Sequence, residues 1–191
     1  TEDMAIYTNA SKELPVTIVA SSITAVLLPQ LARMIKAGEE RAAVKLWGVS
    51  VELSLIFIAL VVSGVFTYAE DVISLLYSAK YLPGISVFRV YTLVLLLRCT
   101  YFGIILNAKG SSRQIFTCSV VTLVINAIMN PLFYWVLGIT GPAVATLLSI
   151  LFGQIWQLRL TAQAVGITFR EIFPWGKLLR IIIINIIFAI C

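Results

Sequence analysis

The chain contains no histidine and few charged residues, which make up 12% of its 191 residues where a soluble domain carries about a quarter. The lack of histidine excludes His-based acid–base catalysis, His metal ligands and a His pH switch. The three cysteines, Cys99, Cys118 and Cys191, lie in separate apolar runs and do not have a metal or redox spacing. Glycine-rich phosphate loops and nucleophile motifs are also missing. We therefore expect no enzyme activity, no cofactor and no metal site.

Apolar residues dominate instead, at 60% of the chain with a mean hydropathy of +1.01. Apolar runs of about 20 residues recur, each long enough to cross a bilayer. This pattern excludes a soluble globular fold and predicts an all-α, polytopic transmembrane helical bundle. We predict helices over residues 4–33, 46–68, 85–107, 114–137, 141–160 and 178–191, and an outer interfacial helix over about 69–80. The last run is too short to cross a membrane, so we expect the chain to be a fragment.

Basic residues are concentrated in alternate connectors. Ten of the fourteen lie in or beside the first, third and fifth connectors: Arg33, Lys36, Arg41, Lys45, Lys109, Arg113, Arg159, Arg170, Lys177 and Arg180. The other connectors carry only Lys80 among basic residues. The positive-inside rule predicts that the basic connectors face the cytoplasm and that the chain starts outside. The net positive charge therefore serves topology, and we expect no nucleic-acid partner.

Arg98 is the charged residue placed deepest in a predicted helix, 13 residues into the third span. A charge near mid-bilayer is costly and indicates a cavity role, although a structural ion pair or a hydrogen bond to a helix end would also explain it. Helical geometry puts Arg98 on one face with Tyr91, Phe102 and Lys109. Arg89 points the other way near the outer end, where its side chain can extend to water.

Polar residues also mark the first and fourth spans. Lys12 and Glu13 lie in the outer half of the first span, beside a stripe of small polar side chains that indicates a wet cavity wall or a short outer vestibule. Asn126 and Asn130 lie near one face of the fourth span, where interhelical hydrogen bonding is the first interpretation and substrate contact the second.

Small residues recur every fourth position in the fifth span, at Gly141, Ala145, Ser149 and Gly153. Such a stripe allows the backbone of another helix to approach closely. We interpret it as a packing seam.

Five segments in order resemble a known family. They are AIYTNASKELP with Tyr7, Ala10 and Pro15, LLPQLARM with Pro29, AEDVISLLYSAKYLPGISVFRV, ILNAKGSSRQ, and NAIMNPLFYWVLGITGPAVATLLS, in which Pro142 replaces a commoner alanine. In these segments the chain resembles the C-terminal half of a Wzx-type polysaccharide flippase. That family belongs to the MOP exporter superfamily, which also holds the lipid II flippases and the MATE drug exporters.

The resemblance implies one lobe of a two-lobed, MATE-like transporter in the bacterial inner membrane. It implies a flippase that moves an undecaprenyl-pyrophosphate-linked oligosaccharide by alternating access, for O-antigen, capsule or exopolysaccharide synthesis. Arg98 and Lys12 would bind the pyrophosphate, with Tyr91, Asn126 and Asn130 as further cavity residues. The implied partners are membrane lipids, the N-terminal lobe, and a proton or sodium ion coupled through Glu13.

Three alternatives remain open at this point. A MATE-type drug or metabolite antiporter should favour acidic residues at cavity depth, where this chain is basic. An integral membrane polymerase or ligase should carry a long outer hydrophilic loop, and the longest outer connector here covers only residues 67–84. A membrane scaffold without cargo would leave Arg98 unexplained unless a buried acid pairs with it.

Overall fold

A computed structural model describes residues 2–11, 17–77 and 79–190. Over these ranges the chain is helical and has no strand, which confirms the all-α fold class. The α-helices are α1 (Glu2–Ala10), α2 (Thr17–Lys36), α3 (Glu40–Thr67), α4 (Ala69–Leu76), α5 (Ile85–Leu97), α6 (Ile104–Ala108), α7 (Ser112–Leu137), α8 (Gly141–Val165) and α9 (Trp175–Ile190). Short 3-10 turns lie at Ala79–Gly84, Gly138–Thr140 and Phe169–Glu171.

Four helical segments in the described ranges are long and apolar enough to cross a membrane. They are Thr17–Lys36, Glu40–Thr67, Lys80–Leu97 and Ser112–Val165. The last segment contains α7 and α8, which fold back on each other through the turn at Gly138–Thr140. The chain is therefore a multi-pass helical bundle.

The third predicted span, 85–107, is wrong as a single helix. It consists of α5 and α6, with residues 98–103 outside any helix. Hydropathy falls at Arg98 and recovers in α6, a change that a continuous helix with one cavity-facing arginine would also show. The physical reason for the break lies in contacts with α3 and α8, described below.

The first predicted span, 4–33, is also interrupted, because α1 ends at Ala10 and Ser11 forms a turn. The Ser11 hydroxyl donates to the Thr8 carbonyl at 3.3 Å. The next described residue is Thr17, the first of α2.

Several helices begin before or end after the apolar runs that predicted them. Helix α3 starts at Glu40 rather than residue 46, and α8 continues to Val165 rather than residue 160. The first turn of α3 is charged and the last turns of α8 contain Thr161 and Gln163, so hydropathy does not detect that these turns are helical. Of the outer interfacial segment predicted over 69–80, Ala69–Leu76 is α-helical, and a 3-10 turn begins at Ala79.

The three basic connectors meet at one end of the bundle. Lys109 Nζ lies 2.6 Å from Glu40 Oε1 and donates to the Ala164 carbonyl at 2.5 Å. This one side chain therefore joins the start of α3, the α6–α7 connector and the end of α8. In the orientation that the loop charges predict, this is the cytoplasmic end, and we call it the basic end.

Among the described residues, helix α3 supplies more buried side chains to the larger core than any other helix, and α9 packs along it. Gly48 lies beside Phe173, and Ser63 Oγ lies 3.5 Å from Asn185 Oδ1, so the two helices run parallel. Trp47 is fully buried between them, with its ring centroid 4.6 Å from that of Phe173. A second, smaller cluster at the opposite end packs α1, α4 and α5 around buried Phe88.

The small-residue seam of the fifth span is confirmed. Gly141, Ala145, Ser149 and Gly153 are all buried in α8. A Cβ atom on Gly153 would lie 2.5 Å from Thr122 Oγ1 of α7, and one on Gly141 would lie 2.1 Å from the Phe133 carbonyl oxygen. The α7–α8 hairpin therefore needs glycine at both positions.

We expect Gly153→Ala to destabilise the protein by about 1–3 kcal/mol, because β-branched Thr122 cannot move away without losing its rotamer. The measurement is thermal unfolding of the purified protein in detergent. Gly64→Ala in α3 is the matched control, since a Cβ there has no heavy atom within 4 Å. Equal melting temperatures for the two variants would contradict a tight seam.

The topology prediction is tested with single cysteines in a background where the native cysteines are replaced by serine. Cysteines at Lys36, Arg113 and Arg170 should react with a membrane-impermeant reagent only from the cytoplasm, and cysteines at Asp71 and Thr140 only from outside. Labelling of Lys36 and Asp71 positions from the same side would overturn the span assignment.

Candidate functional site

The interruption between α5 and α6, residues 98–103, is held by side chains of two other helices. Gln154 Nε2 of α8 donates to the Leu97 carbonyl at 2.6 Å. In a continuous helix that carbonyl would accept from the N–H of Tyr101. Trp47 Nε1 of α3 donates to Thr100 Oγ1 at 2.8 Å. Non-helical backbone at membrane depth occurs where protein or a water-filled cavity satisfies it, and here Gln154 does so for the Leu97 carbonyl.

The end of this segment is tightly packed. Gly103 is buried, and a Cβ there would lie 3.0 Å from the Tyr101 ring and 3.1 Å from Gln157 Oε1. Cys99 is also buried, as are Ile104 and Ile105 of α6. The interruption is therefore a defined part of the core.

Arg98 is the first residue of the interruption and is exposed. Its N–H donates to the Leu95 carbonyl at 3.0 Å, which closes the last turn of α5. A cation at this position is favoured by the negative end of the helix dipole. Arg98 thus lies at the C-terminal end of α5 and is exposed on the surface.

The predicted setting of Arg98 inside a continuous helix is wrong. The break after Leu97 removes the common helical face with Phe102 and Lys109. The Leu97 carbonyl bonds to Gln154, 13 residues after the start of the 25-residue α8, so the break lies level with the middle of that helix.

The other cationic residue of this span lies elsewhere. The Arg89 guanidinium carbon lies 5.6 Å from the centre of the Phe66 ring of α3, within the range of a cation–π interaction. Its Nε is buried and has no hydrogen-bond partner in the described parts of the chain. Arg89 is therefore half-buried against α3 rather than extended to water.

Tyr91 pairs with the first helix. Its hydroxyl lies 3.0 Å from that of Tyr7, and the two rings meet edge to face with centroids 6.3 Å apart. This contact joins α5 to α1. Lys12 and Glu13, the other predicted cavity residues of the first span, lie outside the described residues.

Asn126 and Asn130 form a polar pair on α7. Asn130 Nδ2 donates to Asn126 Oδ1 at 3.1 Å, and Asn126 Nδ2 lies 3.4 Å from Thr146 Oγ1 of α8. The expected interhelical hydrogen bond of Asn126 is thus confirmed. Asn130 Oδ1 is buried without a hydrogen-bond partner among the residues that the structure describes.

A polar groove of about 390 Å³ runs between α7 and α8. Its polar lining is Ser119, Thr122, Asn126, Thr146, Ser149, Gln154 and Gln157. Gln154 also reaches the Leu97 carbonyl and Gln157 touches Gly103, so the groove adjoins the interruption that carries Arg98. We take the groove and residues 98–103 together as the candidate site.

Sequence reasoning missed Gln154 and Gln157. The signal was present, because two amides three residues apart in an apolar helix need partners as much as Asn126 does. The small-residue seam indicates how α8 packs and gives no information on these two side chains. Thr100 carried no comparable signal, since a threonine hydroxyl often bonds within its own helix.

We expect Gln154→Leu to lower stability by about 1 kcal/mol, because the Leu97 carbonyl loses its partner. Hydrogen–deuterium exchange should also become faster at residues 98–103 than in the unmodified protein. Gln163→Leu is the matched control, since Gln163 is exposed on the same helix. If both variants exchange alike, the interruption does not depend on Gln154.

Comparison with known proteins identifies one family. The family model described as lipid II flippase MurJ matches residues 4–191. No curated protein matches the chain, and no solved structure matches it.

Proposed function

Because this chain belongs to the lipid II flippase MurJ family, we propose that it forms one lobe of a transporter that moves a lipid-linked precursor across the bacterial inner membrane by alternating access. Membership of the family supports a lipid-linked flippase of the MOP superfamily. The four membrane-length segments agree with a multi-pass protein.

The interrupted α5–α6 span is the observation that carries the proposal. Transporters place substrate sites at discontinuous helices, whose free ends and irregular backbone face the cargo. Here the interruption begins with an exposed arginine. An arginine guanidinium forms bidentate, charge-assisted bonds with phosphate oxygens, and a pyrophosphate-linked lipid offers such oxygens.

The cargo we propose is a polyprenyl-pyrophosphate-linked glycan. The sequence segments resemble polysaccharide flippases, whereas the matched family is described as a lipid II flippase. We favour lipid II, the peptidoglycan precursor, because the family match extends over residues 4–191 and the five segments cover less. Both cargoes carry the phosphate chemistry that Arg98 would bind.

We propose roles in cargo binding or ion coupling for the other candidate site residues. Lys12 would add positive charge for the pyrophosphate. Tyr91, Asn126 and Asn130 would form a polar wall, and the buried Asn130 Oδ1 supplies an acceptor for a hydroxyl group. Glu13 is the proposed site of coupling to a proton or sodium ion.

Helix α7 supports the proposal of a second lobe. Among its described residues only Cys118 is buried, and the groove beside it is open. A polar groove facing lipid would be costly, so we propose that the N-terminal lobe faces it and encloses the cavity.

We expect Arg98→Ala in the full-length protein to reduce flipping of the lipid-linked precursor about tenfold or more, since a charge-assisted bond is lost. Arg98→Lys should retain part of the activity, because it restores charge without the planar guanidinium. The measurement is translocation of a labelled polyprenyl-pyrophosphate glycan in proteoliposomes, with protein amount quantified in parallel.

Arg159→Ala is the control for this test, because Arg159 is exposed on α8 outside the groove. It should flip the precursor at the rate of the unmodified protein. A purely structural Arg98 at the end of α5 would show itself as reduced protein amount with normal activity per molecule. Either that result or normal flipping by Arg98→Ala would overturn the proposed role.

A further inference from the structure

A second cavity lies at the basic end, between the first turns of α3 and the connector that leads into α9. Its volume is about 460 Å³. Its charged lining residues are Arg41, Lys45, Glu52, Arg170, Glu171 and Lys177. It is separate from the α7–α8 groove, with which it shares no lining residue.

Both carboxylates of this cavity are already engaged. Glu52 Oε2 lies 3.5 Å from Lys177 Nζ. Glu171 Oε2 accepts from the Thr168 N–H at 2.7 Å and from the Thr168 hydroxyl at 2.8 Å. These two bonds, together with the charge of Arg41, lower the pKa of Glu171. Both carboxylates are therefore bound to partners within the protein.

The basic side chains of this cavity outnumber its carboxylates. Four basic side chains face two carboxylates, which leaves a net charge of +2 in the cavity. Lys45 and Arg170 are exposed, and neither has an ion-pair or hydrogen-bond partner in the described part of the chain. Two cations on different elements thus remain available to an anion from outside.

The floor of the same cavity is apolar. Val44 is 3% exposed, Ile172 2% and Phe173 4%, and all three line it. Trp175 stacks on Phe169 beside the cavity, with ring centroids 5.2 Å apart and an interplanar angle of 17°. Tryptophan rings of this kind mark the level of the lipid headgroups. The cavity therefore combines a cationic rim, an apolar floor and a position at the membrane surface.

We propose that this cavity binds the phosphate headgroup of an anionic phospholipid, such as phosphatidylglycerol, from the leaflet at the basic end. Basic pockets between transmembrane helices on the cytoplasmic side suit such headgroups. The lipid phosphate lies between Lys45 of α3 and Arg170 of the α8–α9 connector. The apolar diacylglycerol part of the lipid lies against the apolar floor. This binding holds the connector against α3 and goes beyond the proposed function, because the lipid is not the cargo.

Free inorganic phosphate is the other source of the same chemistry. Exposed cations hold a free anion weakly, because water and salt screen the attraction. A lipid adds burial of its apolar part and confinement to the membrane surface, so the lipid is the ligand that this cavity retains.

The experiment uses the full-length protein purified in mild detergent and measures bound lipid by native mass spectrometry during titration with dioleoylphosphatidylglycerol. Dioleoylphosphatidylcholine and sodium phosphate are parallel arms. We expect binding of phosphatidylglycerol in preference to phosphatidylcholine, with no displacement by millimolar phosphate. The double variant Lys45→Gln/Arg170→Gln should bind phosphatidylglycerol about 30-fold more weakly, from the usual contribution of two basic residues near a membrane surface.

The matched control is Lys36→Gln/Arg113→Gln, which removes one exposed lysine and one exposed arginine outside the cavity. It should bind phosphatidylglycerol like the unmodified protein. Equal loss in both double variants, equal binding of the two lipids, or displacement by phosphate would each overturn the proposal. Arg98→Ala should leave this binding unchanged, so a failed flippase role and a failed lipid site give different results.

Discussion

A carbonyl group that loses its helical partner inside a membrane must find another, and much of this structure follows from how the Leu97 carbonyl does so. Gln154 supplies the donor at 2.6 Å, and Trp47 binds the hydroxyl of Thr100, the third residue of the interruption. These contacts require α8 and α3 to lie against the end of α5. They also let the chain turn at Arg98 without leaving the Leu97 carbonyl unsatisfied in an apolar setting.

Sequence patterns that depend on local spacing were informative. The four-residue repeat of small side chains in α8 predicted a close helix contact, and Gly153 against Thr122 is that contact. Asn126 in an apolar helix predicted an interhelical hydrogen bond, and Thr146 provides it. In both cases few helix arrangements satisfy that residue type at that spacing, so the contact could be predicted from the sequence.

The break in the third span could not be read in the same way. Residues 98–103 are less apolar than α5, but a continuous helix with one face toward a cavity would show the same change, and the groups that stabilise the break are 53 and 57 residues distant in sequence. The hydropathy of a segment indicates whether it can lie in an apolar environment. It carries no information on which amide side chain of another helix bonds to its backbone.

The placement of α7 has a mechanical consequence. Its described contacts are chiefly with α8, so the two helices form a hairpin that is joined to the rest of the bundle mainly through α8. Gln154 belongs to that hairpin, and Leu97 belongs to α5, outside the hairpin. Any rotation of the hairpin away from α5 must stretch this bond and free the carbonyl beside Arg98. The position of the hairpin and the charged end of α5 are thereby linked through the Gln154 amide.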